Sequence, residues 1–91
     1  MATQQVLGMD TEEGRRVARD MNEGSAQIGD VIGSASAIAG RINEMWPGAD
    51  GARFGQDVAE FVNNAQNAAQ SLSDQAQQLV VHADRQDQAS A

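Results

Sequence analysis

The sequence predicts an all-α fold, a helix-turn-helix hairpin of two long antiparallel helices that pairs with a second hairpin into a four-helix bundle dimer. Three observations predict it. Apolar and small residues recur at alternating steps of four and three residues on both sides of Trp46-Pro47-Gly48, the signature of a helical packing seam. Many of the apolar residues are alanine, with two Phe, one Trp and no Tyr, which suits helix packing and is poor material for a β-sandwich. At 91 residues the chain is one domain, residues 1–91, and a lone two-helix layer of that size buries too little surface to be comfortably stable, so a partner is expected on physical grounds.

The chain opens with a flexible N-terminus over residues 1–9, where MATQQVLGM has neither basic residues nor a long apolar run. No Sec-type signal peptide is therefore expected. The first helix spans 10–46. Asp10 can accept from the free N–H groups of the first turn, Glu13 can reach back to it, and the acids of the first turn suit the helix dipole. Its seam runs Val17, Met21, Gly24, Ile28, Val31, Ala35, Ile38, Ile42, Met45. Five glycines interrupt the pattern, at 14, 24, 29, 33 and 40, each costing about 1 kcal/mol against alanine in a helix interior. Close backbone approach at Gly24, Gly29 and Gly33 would offset part of that cost.

The turn covers 47–50. Pro47 disfavours the α conformation at Trp46, and Gly48 can take the left-handed conformation that closes a helix. The second helix spans 51–85, with Asp50 as its N-cap and a seam at Phe54, Val58, Phe61, Ala65, Ala68, Leu72, Gln75, Leu79 and His82. Each helix is roughly 35 residues, about 50 Å at 1.5 Å per residue. The seams mirror each other about the turn, which sets Met45 against Phe54, Ile42 against Val58, Ile38 against Phe61, Met21 against Leu79 and Val17 against His82. Residues 86–91 carry no apolar anchor and are expected to be a flexible tail.

Beside each seam lies a second column, Ala18, Ser25, Ile32, Ala39 and Trp46 on the first helix, Val62, Ala69, Ala76 and Ala83 on the second. One neighbouring helix does not need so wide a face, which makes Ile32, Ala39, Trp46, Phe54, Val62, Ala69 and Ala76 the candidate partner interface.

Charge and chemistry narrow the function further. Thirteen acids against six arginines, with no lysine, give a net charge of -7, which repels phosphate backbones and anionic lipid surfaces, so no nucleic acid partner is expected. Without cysteine there is no disulfide framework, thiolate metal site or cysteine nucleophile. His82 lies near Asp84 and Asp87, but no second histidine exists to complete a metal site; an end-of-helix histidine is the simpler reading. Arg15, Arg16 and Arg19 have Glu12, Asp20 and Glu23 at helical spacing and read as a solvated, paired face. Serines 25, 34, 36, 71 and 73 have no nucleophile motif around them. No catalytic residue, cofactor or metal is expected, and the chain is read as a non-enzyme.

Trp46-x-Gly48 at mid-chain, Phe54 one turn on in WPGADGARF, long helices on either side, and the short cysteine-free chain together resemble the WXG family of small proteins related to the early secretory antigenic target. The resemblance covers about Met9 to Ala83. It implies a hairpin that pairs antiparallel with itself or with a sister WXG-type hairpin, is made in the cytoplasm, and is secreted as the assembled bundle by a type VII secretion system. Trp46 and Gly48 carry over as the turn motif. Engagement of a secretion ATPase, through this chain's C-terminal tail or the partner's, is implied as well. In that family a Tyr followed four residues on by an acid lies past the second helix; here there is no Tyr, His82 is followed at that spacing by Gln86 and Val80 by Asp84. That departure favours a partner supplying the signal. The alternative function is a chaperone or targeting adaptor that binds a helical segment of a larger toxin exported by the same route.

Overall fold

The computed structural model describes residues 8–90. They form two helices, α1 (Thr11–Met45) and α2 (Ala49–Ser90), packed against each other along their length. The hairpin is a rod of 67 × 18 × 18 Å with a radius of gyration of 20.3 Å, against about 12 Å for a compact chain of similar size. Residues 1–7 of the expected flexible N-terminus, and residue 91, lie outside the described residues.

α1 starts where its sequence provides a cap. The Glu13 N–H donates to the Asp10 carboxylate at 3.2 Å, while the Glu13 carboxylate turns forward to pair with Arg16 instead of reaching back. The helix stops at Met45. Trp46, restricted by the proline after it, leaves the α region (φ -133°, ψ 74°) and its N–H still donates to the Ile42 carbonyl. Gly48 then takes φ +111°, and its carbonyl accepts from the Ala52 N–H at 3.0 Å. Gly48 therefore caps α2. The expected cap, Asp50, already lies inside the first turn, where it pairs with Arg53 at 3.7 Å.

α2 continues to Ser90, past the expected end at 85. The reason is a contact between chain ends that no local pattern contains. Arg15 of α1 donates to Asp84 and to Asp87, each at 2.8 Å, and Gly8 lies so close against Gln86 that a β-carbon would overlap its side-chain amide. The last turns are held by these tethers and by the Gln86–Ser90 hydrogen bond, not by apolar burial.

The inner stripe also differs from the expected seam. Buried and half-buried positions run Gly14, Ala18, Met21, Ser25, Ile28, Ile32, Ala35, Ala39, Ile42 on α1, and Gly51, Gly55, Val58, Val62, Ala65, Ala69, Leu72, Ala76, Leu79, Ala83 on α2. Each stripe takes one expected seam position per heptad and one position of the second column. The most enclosed members are small: Ala18 is 1% exposed, Ala76 and Ala83 0%. Small side chains let the two backbones approach closely, and the alternate seam positions, Val31, Ile38, Met45, Phe54 and Phe61 among them, are turned outward. The register moves with it: Ser25 donates to the Ala69 carbonyl at 2.8 Å, and Leu72 reaches Gly24, about one turn from Ile28, which the mirror register set opposite it. Close approach occurs at Gly24, where an added β-carbon would meet Leu72 at 3.2 Å; Gly29, Gly33 and Gly40 have no neighbour within 4 Å.

Candidate interaction face

In a heptad the two inward positions are flanked by one position on either side, roughly 80° from the line joining the helix axes. On one side of this hairpin those positions hold Val17, Gly24, Val31, Ile38 and Met45 from α1, and Phe54, Phe61, Ala68, Gln75 and His82 from α2. On the other side α1 offers Arg15, Asn22, Gly29, Ser36 and Asn43, and α2 offers Ala52, Ala59, Gln66, Ser73 and Val80. The hairpin therefore has one flank that carries its large apolar side chains and one that is more polar, with Val80 its one large apolar member. The two halves of the apolar flank meet in one surface, since Gly24, Ile28 and Val31 share an open groove of about 310 Å³ with Phe61, Ala65 and Ala68.

The exposures on this flank are unusual for residues of this size. Ile38 is 49% exposed, Val31 52%, Phe61 51% and Met45 73%. At the turn the Trp46 and Phe54 rings lie 6.0 Å apart, tilted by 38°, and both remain more than two-fifths exposed. Inside, by contrast, no large side chain is fully buried among the described residues. The most enclosed seam positions are thus small, while Val31, Ile38, Met45, Phe54 and Phe61 stay two-fifths exposed or more, which makes this flank the candidate interaction surface.

The seven residues expected at the partner interface divide accordingly. Ala76 is enclosed, and Ile32, Ala39, Val62 and Ala69 are half-buried on the inner stripe; their surface is used within the hairpin. Trp46 and Phe54 are exposed, next to the apolar flank at the closed end. Gly48 of the turn motif carries the positive φ that the turn requires.

Gly51 was not singled out by sequence. It is buried beneath Trp46, and a β-carbon there would collide with the Trp46 carbonyl oxygen and lie 3.0 Å from Cγ of the ring. Trp46, Gly48 and Gly51 together form the closed end.

The apolar flank itself carries no Asp, Glu or Arg side chain. Glu23, Asp30 and Glu44 of α1 and Glu60 and Asp74 of α2 fall on the side of each helix away from the seam and are exposed. The rims of the flank carry Glu13, Asp20 and Arg41 on α1 and Asp50, Asp57 and Arg85 on α2, with Glu13 paired to Arg16 and Asp50 to Arg53. At the open end the Thr11 hydroxyl, and then Arg15, hold the Asp87 carboxyl below its usual range, and hydrogen bonds to Asp84 and Asp87 push Arg15 up. His82 is exposed on the flank line, and among the described residues no group of three His, Asp or Glu side chains is gathered as a metal site would need.

Comparison with protein-family models, with curated proteins and with solved structures finds no match to this chain.

Proposed function

We propose that this chain is a non-enzymatic WXG-type hairpin that works by pairing with a second helical hairpin through its apolar flank, and that the paired bundle is the species exported by a type VII secretion system. The observation that carries the pairing is the flank itself: Val31, Ile38, Met45, Phe54 and Phe61 in one stripe, each two-fifths exposed or more. A second hairpin laid there completes a four-helix bundle, whose core is built from facing apolar stripes of this kind. The export route is supported by Trp46-x-Gly48 standing at the turn between two long helices, the arrangement on which the family resemblance rests.

Ile38→Asp tests this reading, with Ser36→Asp on the polar flank as control. A charge placed in a desolvated interface is unfavourable unless paired, so Ile38→Asp is expected to lose the paired species in sedimentation and to be retained in the cells, while Ser36→Asp pairs and is exported as the parent. Export of an Ile38→Asp monomer at the parent's level would contradict the proposal. A variant that no longer pairs with a hairpin but still binds a large toxin would identify the adaptor function instead.

A further inference from the structure

The apolar flank is not even along its length. Near its middle the α1 line passes from Val17 to Val31 through Gly24, and the α2 line passes from Phe61 to Gln75 through Ala68. The surface rises again toward the open end, where Val17 is 39% exposed and His82 is exposed. Between these heights lies the open groove at Gly24, with Val31 and Phe61 standing on its turn side. We infer that this groove is a socket for one aromatic side chain carried near the centre of the partner's contact helix, and that Gly24 and Ala68 set which hairpins the flank accepts. The inference rests on the pairing reading above and gives the partner its distinguishing residue.

The lining decides the chemistry of the occupant. Gln27 is its only polar side chain and no charged group reaches it. A charge entering there would lose water without gaining a counter-charge, which is strongly unfavourable, and a short side chain would leave the walls without contact atoms. An aromatic ring meets both conditions. It brings a large apolar area in one rigid piece, and Phe61, 51% exposed, offers it a ring neighbour. The position fits as well: interface hot spots cluster near the geometric centre in desolvated pockets and are enriched in Trp and Tyr, and this groove stands close to the middle of a flank that runs from Val17 to Met45 on α1 and from Phe54 to His82 on α2.

Charge does not make this selection. On the rims Glu13 is paired to Arg16 and Asp50 to Arg53, which leaves Asp20 and Arg41 along α1 and Asp57 and Arg85 along α2. Acid and arginine alternate around the flank, and exposed charges of this kind add little affinity. Nor does the hairpin itself call for a glycine at 24. The atom that an added β-carbon would meet is the far end of the Leu72 side chain, at 3.2 Å, which a small rotation moves aside. The missing side chain matters on the outer surface.

Gly24→Leu fills the socket from within, and leucine is the better helix former, so the hairpin keeps its fold. Although the variant adds apolar surface to the flank, its pairing in sedimentation should weaken by at least about 30-fold, the size of a hot-spot loss. Ala68→Leu should do the same from α2, while Ser36→Leu on the polar flank should pair as the parent. A free aromatic reports the socket without any partner: in an Ile38→Asp background, which keeps the chain unpaired, indole should shift the amide resonances of Gly24, Ala65 and Ala68 saturably, and adding Gly24→Leu should abolish those shifts. If Ile38→Asp loses pairing but Gly24→Leu and Ala68→Leu pair as tightly as the parent or more so, the socket is overturned and the pairing function stands. Indole shifts that are absent, or that survive Gly24→Leu, overturn it equally. A parent chain that forms no paired species contradicts the pairing reading and takes the socket with it.

Discussion

Gly51→Ala isolates the packing of the closed end, because the structure gives the same substitution opposite signs at two glycines. At Gly29 no atom lies within 4 Å of the added methyl. There the variant should collect only the helix-propensity difference, a gain of about 1 kcal/mol. At Gly51 the methyl meets the Trp46 backbone, with the carbonyl carbon at 2.9 Å, and this neighbour cannot swing aside as a flexible side chain could. Overpacking against a rigid neighbour costs about 1–3 kcal/mol. Set against the propensity gain, Gly51→Ala should be neutral to destabilising by about 2 kcal/mol, so the two variants should stand about 1–3 kcal/mol apart. For a domain of this size 1 kcal/mol moves the midpoint by about 4–8 °C. Urea and thermal unfolding of parent, Gly29→Ala and Gly51→Ala supply the comparison, at one fixed protein concentration so that assembly contributes equally. If Gly51→Ala gains as much stability as Gly29→Ala, the close packing of α2 beneath Trp46 is wrong.

Trp46→Ala should destabilise the hairpin and its assembly together; truncating a core aromatic costs about 3–5 kcal/mol, and since Trp46 is 43% exposed denaturant unfolding should place the loss at or below the lower end. Arg15→Ala should speed amide exchange over residues 84–90 without changing the middle of either helix, because Arg15 is the side chain that ties both Asp84 and Asp87 to α1. The same tether has a pH signature. The Thr11 hydroxyl and Arg15 hold the Asp87 carboxyl below its usual range in the folded chain, so its contribution is fully present above the usual carboxylate pKa and is lost as pH falls through the depressed value; protection over 84–90, corrected for the intrinsic pH dependence of amide exchange, should hold at neutral pH and fall only in acid.

The two helices, the turn between them and the Asp10 cap were legible because each depends on residues close in sequence: Pro47 acting on Trp46, Gly48 supplying a positive φ, Asp10 meeting the Glu13 N–H. The choice of inner face was not. Two adjacent stripes share the same period, and periodicity cannot rank them; what ranks them is that Ala18, Ala76 and Ala83 permit a closer approach than Val31, Ile38 and Phe61. The expected interface at Ile32, Ala39, Val62, Ala69 and Ala76 fell on the inner stripe for that reason, whereas Trp46 at the turn and Phe54, expected on the seam against Met45, are both exposed. The helical end of α2 was illegible for another reason: its anchors, Arg15 and Gly8, lie at the opposite end of the chain. Gly51 and Gly29 look alike in sequence, and only the position of the Trp46 carbonyl separates them.

The central claim is that the flank through Val31 and Ile38 is the surface covered in the assembled protein. Thiol labelling of Val31→Cys and of Ser36→Cys, which sits on the opposite flank, measures this most directly when each is followed across the concentration range in which the protein assembles. Labelling of Val31→Cys should slow as assembly proceeds while Ser36→Cys reacts at an unchanged rate. Slowing at Ser36→Cys with Val31→Cys unchanged would place the partner on the polar flank and contradict the account.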